Sequence, residues 1–256
     1  MIAAVAATAA LKAEPRDARM LVGAGSSIVA IAPDLTRTPV LDDAQDAAFS
    51  PDGTLIAFAR SGDLWTANAD GSGQRRIVTT PNVVEWGPSW SPDGLTLVYS
   101  ARVDGRREIR AVALPTGTSR RLAGSTAEEW SPAYSRTGQL AFVSSRTGVP
   151  AVYVAAGDGS GVTSFDVTAP AVPPLDVRDL TWSPDGKRLA YTQAADDGTT
   201  SLVVDDGTTQ VNLSATPAQD EHPVWSPTGS RIAFDDGDDH LRSVAADGSD
   251  PRDLGA

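Results

Sequence analysis

Trp182-Ser183-Pro184-Asp185-Gly186 decides the fold, because it recurs. Trp90-Ser91-Pro92-Asp93-Gly94 repeats it in full. Phe49-Ser50-Pro51-Asp52-Gly53 and Trp225-Ser226-Pro227-Thr228-Gly229 each change one residue. Tyr134-Ser135-Arg136-Thr137-Gly138 keeps the aromatic, the Ser and the Gly. The aromatics stand at 49, 90, 134, 182 and 225, in steps of 41, 44, 48 and 43 residues. A period of that length marks an array of supersecondary units. Within each pentapeptide Pro pre-sets the first turn position, Asp can bond back to backbone N–H groups, and Gly supplies the positive φ.

Outward from the turn, each unit continues with a short apolar run: Ile56-Ala57-Phe58, Leu97-Val98-Tyr99, Leu140-Ala141-Phe142, Leu189-Ala190-Tyr191 and Ile232-Ala233-Phe234. Continuous apolar runs suit strands covered on both faces. A third strand follows, then a second turn such as Asp70-Gly71-Ser72-Gly73 or Asp158-Gly159-Ser160-Gly161, then a strand such as Arg75-Arg76-Ile77. With the strand that carries the aromatic, this makes four strands per unit, a propeller blade. Before the first pentapeptide, Arg19–Val22, Ser27–Ile31 and Arg37–Leu41 match the last three strands of a blade. The expected fold is all-β: a six-bladed β-propeller of four-stranded antiparallel blades over residues 17–256, with an incomplete first blade. Residues 1–16 form an apolar lead-in, read as a signal remnant without its basic start, a flexible or helical lead, or an extra strand. No segment is long enough to span a bilayer.

The formal net charge of −12 argues against a phosphate-backbone partner. The absence of Cys excludes disulfides and thiolate chemistry. With only His222 and His240, a His-rich metal site is excluded. No Gly-x-Ser-x-Gly nucleophile elbow occurs. The loop Asp235-Asp236-Gly237-Asp238-Asp239 invites a Ca²⁺ reading, as does the channel, but the loop lacks EF-hand order. The expectation is therefore no cofactor and no enzyme activity.

The units differ from one another just upstream of each aromatic. Three residues before it stand Asp46, Gly87, Ser131, Asp179 and His222; five before it stand Ala44, Glu85, Glu129, Val177 and Asp220. Residues two apart on a strand share a face. This predicts an acidic channel mouth gathering Asp46, Glu85, Glu129, Asp179, Asp220 and His222, flanked by Trp86 and Trp130. The plainer alternative is that these carboxylates are solvated or cap loops.

The aromatic-Ser-Pro-Asp-Gly turn, the Ile-Ala-Phe strand and the Asp-Gly-Ser turn before an Arg-Arg-Leu strand together resemble the TolB-type (WD40-like) β-propeller repeat over residues 17–256. The resemblance implies a protein-interaction platform. TolB itself is periplasmic and carries a further α/β domain, for which this chain has no room. Similar repeats occur in propellers attached to prolyl-oligopeptidase-like and tricorn-like hydrolases. The expected function is a monomeric, periplasmic or extracytoplasmic module binding a protein or basic peptide at the channel mouth, a cytoplasmic location being the alternative. The competing functions are an enzyme acting on a sugar or peptide there, and a sensor or scaffold domain of a longer envelope protein.

Overall fold

The recurring pentapeptide folds as a hydrogen-bonded turn at the foot of every inner strand. Gly53, Gly94, Gly186 and Gly229 donate their N–H to the carbonyls of Ser50, Ser91, Ser183 and Ser226 at 2.8–2.9 Å, all with φ near 70°. The Ser hydroxyl works in two directions. Ser183 Oγ donates to Asp185 Oδ1 at 2.5 Å and accepts the N–H of Arg188 at 2.9 Å, and Ser50 and Ser91 do the same in their turns. These bonds hold the Asp carboxylates below their usual pKa, the Ser hydroxyl contributing most. In Tyr134-Ser135-Arg136-Thr137-Gly138, Thr137 Oγ1 takes the place of the carboxylate, 2.9 Å from Ser135 Oγ.

The computed structural model describes residues 19–24, 26–32, 36–78, 80–122, 125–165, 176–195, 197–214, 219–236 and 240–255. The lead-in of residues 1–16 and Gly237–Asp239 of the acidic loop lie outside them. Blade 1 has β1 (Met20–Ala24), β2 (Ser27–Ile31) and β3 (Arg37–Asp42). Blade 2 has β4 (Gln45–Phe49), β5 (Leu55–Arg60), β6 (Asp63–Asn68) and β7 (Arg75–Arg76). Blade 3 has β8 (Val84–Trp90), β9 (Thr96–Val103), β10 (Arg106–Ala113) and β11 (Thr118–Arg121). Blade 4 has β12 (Glu129–Tyr134), β13 (Gln139–Ser144), β14 (Ala151–Ala156) and β15 (Thr163–Ser164). Blade 5 has β16 (Asp176–Trp182), β17 (Leu189–Ala194), β18 (Thr200–Asp205) and β19 (Gln210–Asn212). Blade 6 has β20 (Glu221–Trp225), β21 (Arg231–Asp235), β22 (Leu241–Ala245) and β23 (Arg252–Gly255). Every sheet is an antiparallel meander in chain order, and blade 1 is three-stranded among the described residues.

The core sits between blades rather than within them. One apolar cluster fills each gap between neighbours: Tyr99 of blade 3 packs with Leu64 of blade 2, and Phe142 of blade 4 with Val98 and Ile109 of blade 3. The motif aromatics wedge these gaps. Trp90 Nε1 donates to Ala48 O at 3.0 Å, Trp182 Nε1 to Ala133 O at 3.1 Å, and Trp225 Nε1 to Thr181 O at 3.2 Å. Each acceptor is the carbonyl just before the preceding blade's own aromatic, so burying the indole leaves no polar atom unpaired. The ring closes where Met20, Val22 and Ile31 of blade 1 meet Ala233 and Leu241 of blade 6. At that seam β1 lies against both β20 and β4.

Candidate functional site: the polar end of the channel

The inner strands do not run straight. Pairing with the second strand slips between Gln45 and Ala48, Trp86 and Ser89, Trp130 and Ala133, Arg178 and Thr181, and Glu221 and Val224. Each slip is a bulge whose first residue is left-handed: Asp46 (φ 52°), Gly87 (61°), Ser131 (49°), Asp179 (58°) and His222 (53°). A bulge of this shape usually takes Gly at that position. Only one blade uses it; Asp and His tolerate the conformation better than most residues. These are the five residues that stand three before each aromatic.

The bulges feed a chain of hydrogen bonds around the channel. Gly87 N donates to Asp46 Oδ2 at 3.1 Å, Asp179 N to Ser131 Oγ at 3.2 Å, and His222 N to Asp179 Oδ2 at 3.5 Å. Gly87 has no side chain to offer the next blade. Ser100 Oγ, on the neighbouring strand, accepts from Ser131 N instead, at 2.9 Å. Across the seam left by blade 1, His222 Nε2 faces Asp46 Oδ1 at 3.9 Å. Asp46, Ser131 and Asp179 therefore both line the channel and satisfy a neighbour's backbone.

These residues open into a cavity of about 510 Å³ lined also by Trp86, Arg19, Arg136 and Asp235. His222 Nδ1 lies 2.9 Å from Asp235 Oδ2. That hydrogen bond, helped by the charges of Asp179 and Asp46 and opposed by partial burial, pushes the imidazole pKa up to about 9. At neutral pH the ring is therefore an imidazolium facing three carboxylates. Burial, then the Asp179 charge, pushes Asp46 upward. Among the described residues no group of three or more His, Asp or Glu is placed to hold an ion.

Of the residues expected at the mouth, Asp46, Asp179, His222 and Trp86 come together there. Glu85, Glu129, Asp220 and Trp130 do not. The three acids are 1, 0 and 3% exposed and line no part of the cavity. The strict two-residue alternation that placed them beside the bulge residues fails, because the bulge residue is itself left-handed and turns the strand. Glu129 and Asp220 hold the linkers that enter their strands. Ser125 Oγ donates to Glu129 Oε1 at 2.7 Å, and Arg146 Nη2 adds a contact of 2.9 Å; Ser214 Oγ donates to Asp220 Oδ2. Burial pushes Glu85 up to about 7, against the opposing Thr80 hydroxyl. Trp130 is buried between blades, its Nε1 donating to Val177 O at 2.6 Å under the Arg107 guanidinium, 3.6 Å from the ring centre.

The overlooked channel residue is Asp235, which the sequence assigned to the acidic loop. It belongs to a second set: the residue after the second-strand aromatic, which is Ala59, Ser100, Val143, Thr192 and Asp235 in successive units. The polar members all reach a bulge residue; Thr192 Oγ1 lies 3.2 Å from Asp179 Oδ2. Aligning that column across the units would have revealed it. Asp236 next to it pairs with Arg242 at 2.8 Å.

Six blades around a polar channel, five of them seated on an aromatic-Ser turn, define a repeat propeller whose variable residues face its axis. The family model described as the TolB beta propeller domain matches residues 39–255, and the chain belongs to that family. Tricorn protease homolog 1 of Streptomyces coelicolor is 30% identical over 219 residues, covering 79% of this chain and 20% of that protein. The chain thus spans about a fifth of that relative's length. Among solved structures, TolB from Acinetobacter baumannii superposes with a TM-score of 0.76 at 20% identity, over 93% of this chain and 63% of that one. An oligogalacturonate lyase in complex with manganese superposes at 0.60 with 15% identity, over 92% and 73%. Both likenesses are of fold.

Proposed function

We propose that this chain is a non-catalytic binding module whose acidic channel mouth takes a basic segment of a protein partner. The observation that supports it most is the cluster of Asp46, Asp179 and Asp235 around the single imidazolium of His222, beside the half-buried indole of Trp86. Within the cluster three carboxylates share one imidazolium, while the cavity's other cations, Arg19 and Arg136, also line its turn end; the cluster thus keeps acceptors for Lys or Arg, and the indole offers a cation–π face. Membership of the TolB propeller family fits a binding role, and by analogy with TolB the site of action is extracytoplasmic. His222 protonation speaks against this imidazole as a general base near neutral pH.

The test is titration with a fluorescein-labelled Lys/Arg-rich peptide and its Glu-rich permutation. Asp179→Asn keeps the acceptor for His222 N and removes the charge, so affinity for the basic peptide falls about fivefold with the fold intact. Equal binding of both peptides, or an affinity indifferent to Asp179→Asn and Trp86→Ala, refutes the reading. The names of the protease homolog and the lyase make turnover the competing reading. Cleavage of the peptide in the same experiment would favour it.

A further inference from the structure

The other end of the channel has a different chemistry. It is a cavity of about 450 Å³ at the level of the motif turns, continuous with the polar end through Arg19, Phe49 and Arg136. Its wall comprises Phe49, Tyr134 and the edges of the motif tryptophans, with Pro51, Pro92, Pro184 and Pro227 from four of the turns. No Asp or Glu lines it, although the chain as a whole carries a net charge of −12. Its cations are Arg19, whose guanidinium stacks 5.5 Å from the Phe49 ring centre, and Arg136.

Arg136 occupies the place that Pro holds in the four other repeats, and the next residue, Thr137, stands where three of them carry Asp. Blade 4 thus gains a cation and loses a carboxylate at one point of an otherwise repetitive rim. The rim carboxylates that remain, Asp52, Asp93 and Asp185, are turned onto their own Ser hydroxyls and onto the N–H groups of Thr54, Leu95 and Lys187. The Thr137 hydroxyl already closes its turn, so the turn needs nothing from Arg136. Arg136 is exposed, reaches both halves of the channel, and makes no hydrogen bond or ion pair with the described residues.

We propose that this end of the channel is a carboxylate-binding site, in which Arg136, with Arg19 opposite, receives the carboxylate of an organic acid whose apolar body lies against the aromatic and proline wall. A guanidinium presents paired donors that match a carboxylate. The apolar wall favours an organic acid over a bare inorganic anion, which would lose hydration there without compensation. Arg19 and Arg136 line both ends, but no residue of the acidic cluster lines this one, so Asp179→Asn and the Arg136 variants test the two readings separately.

The experiment is isothermal titration with N-acetyl-phenylalanine, its amide, and a short N-acetylated peptide ending in Phe with a free or amidated terminus. The free acids bind, and amidation weakens binding about tenfold or more. Arg136→Pro, which restores the residue of the other four repeats, produces the same loss without lowering Tm; Arg136→Gln serves if the Pro variant misfolds. A peptide tighter than the free amino acid derivative identifies a chain terminus as the carboxylate source, and equal affinities identify a small acid. Acid and amide binding alike, indifference to both Arg136 variants, or no saturation of wild type up to about 10 mM overturns the site.

Discussion

Replacing His222 by Asn removes the imidazolium from the channel and leaves the left-handed backbone to a residue that accepts it. The folded pKa of about 9 stands above the ordinary value of 6.5, so the charged ring adds stability in full below pH 6.5. That contribution is lost as pH rises through about 9. Unscreened, such a shift corresponds to about 3 kcal/mol. The side chain is 41% exposed, however, and water screens its partners, which reduces the expected effect to roughly 1 kcal/mol. Urea unfolding followed by tryptophan fluorescence, at pH values spanning 6 to 10, measures this directly. The gap between wild type and His222→Asn should be widest at the acid end of that range and close toward zero at the alkaline end. Subtracting the two proteins cancels groups that titrate alike in both. A gap that stays constant, or widens with rising pH, refutes the claim that Asp235, Asp179 and Asp46 hold His222 protonated.

Two further expectations concern architecture. Gly71 and Gly117 are both left-handed (φ 82° and 68°), but a Cβ on Gly71 would sit 2.1 Å from the Val40 carbonyl oxygen while one on Gly117 meets nothing within 4 Å. Gly117→Ala should cost about 1 kcal/mol, and Gly71→Ala at least about 1–2 kcal/mol more, because blade 1 must shift away from blade 2; equal losses in denaturant titrations would contradict the packing at that seam. Glu129→Ala strands Arg146 beside a buried void and should cost about 3 kcal/mol, with Glu129→Gln recovering part of it, and an unchanged midpoint would show that Glu129 does not tie its linker.

Most of the blade was legible because its signals are local. A Gly that must be left-handed, a Ser that bridges the turn and an aromatic beside it recur at one spacing, and the three strands of blade 1 were readable from Arg19–Val22, Ser27–Ile31 and Arg37–Leu41. The channel was half legible. The column holding Asp46, Asp179 and His222 lines the cavity, and it stood out because it differs between units while the rest repeats. The column holding Glu85, Glu129 and Asp220 is buried away from the cavity: each strand bulges just after it, and only beside Glu85 does a glycine, Gly87, stand at the bulge. Asp235 was hidden by chain distance: it meets His222 only through the pairing of β20 with β21.

The chain of bulges has a consequence for how such a channel can change. Every position there has a left-handed backbone, and Asp46, Ser131 and Asp179 add an acceptor for the next blade's N–H. Gly87 and Ser100 show that the acceptor can be handed to a neighbour on the adjacent strand. Five such positions, each open to a short alphabet of Asp, Ser, Gly and His here, form an interchangeable lining. Its charge can be rewritten one blade at a time while the wedges between blades stay as they are.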